Sequence, residues 1–227
     1  YDKEQLRRGL QVYEEKCRAC HGMKHLTFRT LTRPGGPELT PEEAKSLASG
    51  YQFPDIKDDG QVGERDGTLN DTFISPYLNA QEARYLNNGV EPVDLSYIVR
   101  ARSYERGFPQ FLFDAFLPYT DQGADYVFAL LTGYLPDDPE MKANRYFPGG
   151  VINMPKPLTD GEIHWLGASP VAETEVQYAR DVTAFLAWAA DPDLSARKQQ
   201  GIYVMGYLAV MLGLLWALRR MKRRTGH

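Results

Sequence analysis

Residues 17–21 read Cys17-Arg18-Ala19-Cys20-His21, in a chain of 227 residues that holds two cysteines and four histidines in all. Two thiols three positions apart, with His directly after the second, form the attachment pattern of a c-type haem. The spacing has a chemical reason: both thiols must reach the vinyl groups of one macrocycle, and the adjacent imidazole must reach its iron. A thioredoxin-like dithiol shares the Cys-x-x-Cys spacing but belongs to a βαβ context, and none is visible here. A zinc site needs a second pair of ligands at suitable spacing, which this chain lacks. With Cys17 and Cys20 used, no cysteine remains for a disulfide or a nucleophile.

His21 accounts for one side of the iron; Met or His usually supplies the other in electron carriers. Met205, Met211 and Met221 lie in or beyond a long apolar run near the C-terminus, and Met23 is too close to His21 to cross to the opposite face. Met154 stands in Ile152-Asn153-Met154-Pro155-Lys156-Pro157-Leu158, where two prolines stiffen the backbone as a weak thioether ligand requires. Met154 is therefore the favoured sixth ligand, with Met141, His25 and His164 as alternatives.

Around the motif the pattern is mostly helical. Leu6, Leu10, Val12, Tyr13 and Cys17 follow near-helical spacing, so a helix from about Lys3 leads into the haem motif, and Gly9 leaves a notch for a close helix crossing. Val176 to Ala190 predicts a second helix stopped by Asp191-Pro192. A third is predicted from Asp125 to Thr132, with Gly133 as its C′ residue. Tyr85, Leu86, Val93, Leu95, Ile98 and Val99 suggest shorter helices and covering loops. The pattern between Ser49 and Asn79 is weak, and no internal repeat is evident.

Ile202 to Leu218 is uncharged. Its 17 residues make a helix about 26 Å long, at the short end of what spans a bilayer core of roughly 30 Å. Tyr203, Tyr207 and Trp216 lie towards its ends, and Arg219, Arg220, Lys222, Arg223 and Arg224 follow it directly. The positive-inside rule places that basic block in the cytoplasm and the bulk of the chain across the membrane. Residues 1–196 are then a c-type haem domain in a periplasm or its equivalent, 197–218 a single-pass anchor, and 219–227 a cytoplasmic tail. Tyr1 in place of an initiator Met fits a mature chain that has lost a signal peptide. The formal charge is −4; with five cations beyond the span, residues 1–218 carry −9. That balance disfavours nucleic acid as a partner. Two acidic groups stand out, Asp55, Asp58, Asp59, Glu64, Asp66 and Asp71 in one and Asp137, Asp138 and Glu140 in the other. They suggest a field that steers a basic partner.

With these landmarks in order, the chain resembles the cytochrome c1 family, the membrane-anchored haem subunits of cytochrome bc1 complexes. The resemblance rests on RRGLQVYEEKCRACHGMK (Arg7–Lys24), LTPEEAKSLA (Leu39–Ala48), EARYLNNG (Glu82–Gly89) and DLSYIVRAR (Asp94–Arg102). It continues through DYVFALLTGY (Asp125–Tyr134), RYFPGG (Arg145–Gly150), INMPKPL (Ile152–Leu158) and DVTAFLAWAADP (Asp181–Pro192). It implies a mostly α, class I cytochrome c-like haem domain with long loop insertions and one C-terminal transmembrane helix. It makes Met154 the sixth ligand of one covalent haem c, and it suggests that Arg102 and Tyr126 bond the haem propionates. Buried carboxylates need such donors. Two departures matter. Lys156 stands between two prolines, where a cation close to the haem would raise its potential. Ser103 to Ala124 forms a Phe-rich insertion, expected either as an apolar cover over the haem domain or as a contact with a partner subunit.

The resemblance implies an electron-transfer subunit of quinol–cytochrome c oxidoreductase, not catalytic alone. Electrons would pass from the Rieske iron–sulfur protein through the His21/Met154 haem to a soluble cytochrome c. Cytochrome b, membrane lipid and a dimeric complex complete the expected surroundings. The alternative from the same motifs is a free-standing, membrane-tethered cytochrome shuttle. A haem-based sensor would instead leave the sixth position open and bind carbon monoxide when reduced.

Overall fold

The structure, a computed structural model, describes residues 2–57, 59–103, 122–167 and 170–225. The part of the insertion at 104–121 lies outside them. Cα packing divides the chain into two units, Tyr1–Ala190 and Asp191–His227.

The first unit is helical with two small antiparallel ribbons. Helix α1 (Lys3–Val12) starts at Asp2, whose carboxylate accepts the Gln5 N–H. It runs directly into a π-helical turn, Tyr13–Cys17, closed by the Arg18 N–H bonding to the Tyr13 carbonyl at 2.9 Å. The sequence predicts the helix but not this widening. π-turns of this kind recur at functional sites, and here it delivers the chain into Cys17–His21.

Strand β1 (Met23–Thr27) follows, then a 3₁₀ turn at Phe28–Thr32 and helix α2 (Pro41–Ser49). Thr40 and Glu43 form a reciprocal capping box at the start of α2, with Pro41 in its first turn. The stretch with a weak pattern holds β2 (Gln52–Ile56), β3 (Val62–Asp66) and β4 (Thr72–Phe73). β2 pairs with β3 as a hairpin with mostly exposed faces, and β4 pairs with β1. Such strands carry no alternation of apolar and polar residues, so nothing in the pattern announces them.

Helices α3 (Ala80–Leu86), α4 (Ile98–Ala101), α5 (Gln122–Thr132) and α6 (Glu175–Ala189) follow in the unit among the described residues. The crossing of α1 and α6 is its centre. A Cβ on Gly9 would lie 2.1 Å from the Asp181 carbonyl oxygen and 2.6 Å from the Phe185 Cβ, so the notch brings two backbones together. Beside it, Arg8 Nε donates to the fully buried Asp181 carboxylate at 2.7 Å, and Gln177 donates to the same group. Leu6, Tyr13, Tyr178, Phe185 and Trp188 fill the interface and join Met23, Phe28 and Phe73 in one core.

Gly133 differs from expectation. Its φ is not in the left-handed region, so it is no αL cap. It is needed for space instead: a Cβ there would meet Tyr146 Cδ2 at 2.5 Å.

The second unit is helix α7 (Leu194–Thr225). Arg197 forms a bidentate ion pair with Asp191 just before it. Ala196–Arg223 is long and apolar enough to cross a membrane, its most apolar stretch of 18 residues having a mean hydropathy of 1.9.

Candidate functional site

Each residue of the Cys-x-x-Cys-His turn is tied to a different part of the unit. The His21 N–H bonds to the Cys17 carbonyl at 2.9 Å, closing the turn, and the Tyr13 hydroxyl donates to the His21 carbonyl at 2.9 Å. Tyr13 is fully buried and stands edge-on to Phe73 at 5.6 Å between ring centroids. Burial pushes its phenol far above the ordinary value, so it remains a donor.

The imidazole of His21 is oriented from the side. Its Nδ1 lies 2.7 Å from the Val93 carbonyl oxygen. A carbonyl only accepts, so Nδ1 carries the proton and Nε2 keeps its lone pair. Burial also lowers the imidazole's affinity for a second proton, opposed by the bond to Val93 and by Asp94. A neutral imidazole fixed by Nδ1 and open at Nε2 is what a metal ligand needs. The Val93 segment is held in turn, as Leu95 N–H bonds to the Gly22 carbonyl at 2.9 Å and Asp94 accepts the Lys24 N–H.

Arg18, between the two cysteines, is gripped on three sides. It donates to Glu14 Oε2 at 3.0 Å and to the Gly50 carbonyl at 2.8 Å, and its guanidinium sits 3.8 Å from the centre of the Tyr51 ring. Tyr51 donates to the other oxygen of Glu14 at 2.6 Å. Burial raises the Glu14 carboxyl above the usual carboxylate range, and these two donors pull it back. Burial, helped by Cys20 and Glu14, pushes the Cys17 thiol up to about 12. Such a thiol is a poor thiolate nucleophile, which argues against redox dithiol chemistry.

Met154 is half-buried and packs on the same core as Cys17. Its loop is bound at several points: Ile152 N–H to the Lys142 carbonyl, the Tyr134 hydroxyl to the Met154 carbonyl, and Lys156 N–H to the Met141 carbonyl. The alternative ligands are placed differently. Met141 is exposed with a left-handed φ of 52°. His164 is exposed and bonds Glu173, and the exposed His25 stacks on Tyr97.

Arg102 and Tyr126 come from neighbouring helices. The start of α5 lies against α4, where Ser103 Oγ donates to the Val99 carbonyl and Gly123 leaves no room for a side chain beside it. Arg102 is exposed at the end of α4, and Tyr126 is half-buried on α5. Among the described residues, neither side chain has a hydrogen-bond partner.

Lys156 corrects an expectation. Its ammonium pairs with Glu175 Oε2 at 2.6 Å, so its charge is compensated and gives no free positive field. Tyr13, Val93 and Tyr134 are the functional residues that sequence reasoning missed. Tyr13 and Tyr134 act through hydroxyls that a pattern of apolar residues does not register, and Val93 acts through its backbone.

The donor set fits a covalently attached haem: two thiols, an imidazole of fixed tautomer, and a thioether on a tethered loop. Comparison with known proteins gives the family. The family model described as Cytochrome C1 family matches residues 1–225. Cytochrome b/c1 of Bradyrhizobium diazoefficiens is 43% identical over 97% of this chain, which spans 33% of that protein. Cytochrome c1 of Blastochloris viridis is 41% identical over 96% of this chain and 80% of its own length. The mitochondrial cytochrome c1 haem protein of Neurospora crassa is 37% identical over 98% of this chain and 62% of its own.

Proposed function

The chain belongs to the cytochrome c1 family, and we propose that it takes single electrons from a Rieske iron–sulfur protein and passes them to a soluble cytochrome c within a quinol-oxidising bc1 complex. Family membership implies haem c and association with such a complex. The observation that supports haem ligation, on which this reading rests, is the His21 imidazole, directly after two thiols and held by Val93 with Nε2 free.

In this reading Cys17 and Cys20 would hold a haem covalently, His21 and Met154 would ligate its iron, and Arg102 and Tyr126 would bond its propionates. The bound haem supplies a one-electron iron couple whose potential the axial ligands and their surroundings tune. The protein's part is to hold donors still, so that little reorganises when the charge changes. It needs no general acid, base or nucleophile.

A docking face is supported beside the site. Val90, Val93 and Tyr97 are exposed on the segment whose carbonyl holds His21, and Leu78, Tyr85 and Leu86 are exposed on or near α3. Apolar surface next to a redox centre, on a domain of negative charge, suits a basic soluble partner. The proposed setting is a bacterial inner membrane crossed once by α7, with the haem domain in the periplasm, the basic tail in the cytoplasm, and cytochrome b and lipid around the helix in a dimeric complex.

A reduced-minus-oxidised spectrum of the protein, isolated from native membranes in mild detergent, tests the assignment. Haem b bands in fixed ratio to the haem c band are expected. A haem c band alone, under conditions that keep such complexes intact, would favour a membrane-tethered shuttle.

A further inference from the structure

We propose that Tyr134 and the Lys156–Glu175 ion pair are positioning residues that clamp the Met154 loop and set how firmly its thioether is held at the sixth position. This rests on the reading of Met154 as the axial ligand.

The loop has little means of holding itself. Pro155 and Pro157 lack N–H groups, so the stretch around Met154 cannot build a ladder of its own. It is secured from outside instead. The Tyr134 hydroxyl, from just beyond the end of α5, donates to the Met154 carbonyl at 2.9 Å. Two residues on, Lys156 Nζ reaches Glu175, the first residue of α6, at 2.6 Å. The ligand residue is thus tethered to the end of one helix and the start of another.

The anchors are themselves fixed. Tyr134 is buried and pairs as an isolated bridge with Asn144, which is 1% exposed and donates to the Leu130 carbonyl at 2.7 Å. Lys156 N–H bonds to the Met141 carbonyl at 3.0 Å, and Ile152 N–H to the Lys142 carbonyl at 2.9 Å, so residues 152–156 lie along the 141–144 segment. A thioether is a neutral, weak donor. Its hold on a metal depends on how much ordering the loop has already undergone before the bond forms.

The test is cyanide binding to the ferric, full-length holoprotein in detergent, with the methionine-to-iron charge-transfer band followed in parallel. Cyanide takes the sixth position only where Met154 has left it, so its apparent affinity reports the fraction detached. Met154→Ala sets the upper limit. Tyr134→Phe removes one hydrogen bond and is expected to raise cyanide affinity about tenfold and weaken the band. Lys156→Gln breaks a partly exposed pair and is expected to raise it roughly threefold. Electrostatics alone predicts the opposite for Lys156→Gln, since losing a cation and uncovering Glu175 disfavours an anion.

If both variants bind cyanide like the native protein while Met154→Ala binds far more tightly, the clamp is wrong and the ligand assignment stands. If Met154→Ala leaves cyanide affinity unchanged, the ligand assignment fails and the clamp with it. Should Tyr134→Phe yield no holoprotein, Lys156→Gln decides alone, and native affinity there overturns the proposal.

Discussion

His21 keeps its proton on Nδ1 because the atom facing it is a carbonyl oxygen, and its backbone is held because Tyr13 donates to its own carbonyl. Two ordinary hydrogen bonds, one from the tyrosine that opens the π-helical turn and one to a backbone atom 72 residues away, therefore prepare the imidazole. Tyr13→Phe keeps the ring packing against Phe73 and removes only the hydroxyl, so the expected cost is about 1 kcal/mol, read as a lower midpoint in denaturant with an unchanged slope. Gly9 offers a sharper case. Gly9→Ala puts a methyl group against the Asp181 carbonyl, where the obstacle is backbone and not a movable side chain. About 2 kcal/mol or more of destabilisation is expected in thermal unfolding, and a neutral result would mean that α1 and α6 are not in contact there.

At the scale of elements, the acidic stretch is less free than its composition suggests. Asp71 accepts two bonds from Arg65, at 2.7 and 2.8 Å, and a third from the Thr68 N–H. The Arg65 hydrogen bonds foremost hold its carboxyl well below the usual range, although burial opposes them. A depressed carboxylate contributes stability that is complete above its unfolded value of about 3.9 and is lost as pH falls through the folded one. The native protein should therefore lose stability on acidification below about pH 4, and Asp71→Asn should flatten that part of the profile. An identical acid profile in Asp71→Asn would remove the Arg65–Asp71 link from the account. Asp138 is likewise spent on the N–H groups of Glu140, Lys142 and Ala143, where it shapes the segment that the Met154 loop lies along. Helix α2 depends on its cap: Thr40→Ala removes half of the capping box and is expected to cost about 1 kcal/mol, measured by the same unfolding curve.

For the whole molecule, charge and apolarity are segregated along the chain. The acids without partners among the described residues, Glu64 and Asp137 among them, remain available to a long-range field, while Asp71 and Asp138 are internally committed. Electron transfer to the proposed acceptor, a basic soluble cytochrome c, should slow as ionic strength rises, because a Debye length of about 10 Å at 0.1 M screens such steering. A rate that stays flat from low to high salt would remove the steering role. Among the described residues the whole buried hydrophobic core lies in the first unit, so a chain ending at Ala190 should fold and no longer sediment with membranes. Loss of the haem domain's fold in that truncation would show that Asp191–His227 does more than anchor.

The sequence alone determined the features that are local or compositional. Cysteine and histidine spacing is covalent geometry, an apolar run followed by cations is a matter of composition, and α1, α5 and α6 each carry a helical period strong enough to read. Gly9 was legible as a notch because only a close crossing makes glycine useful in a helix. What required the tertiary structure was everything set by partners distant in the chain. The π-turn before Cys17, the β2–β3 hairpin, the carbonyl of Val93 on His21 and the hydroxyl of Tyr134 on Met154 leave no periodic trace. Gly133 shows the same limit, since its role is to make room for Tyr146 and not to adopt a left-handed cap. Lys156 shows it for charge: a cation beside the proposed ligand reads as a source of positive field, until Glu175, nineteen residues on, is found to neutralise it.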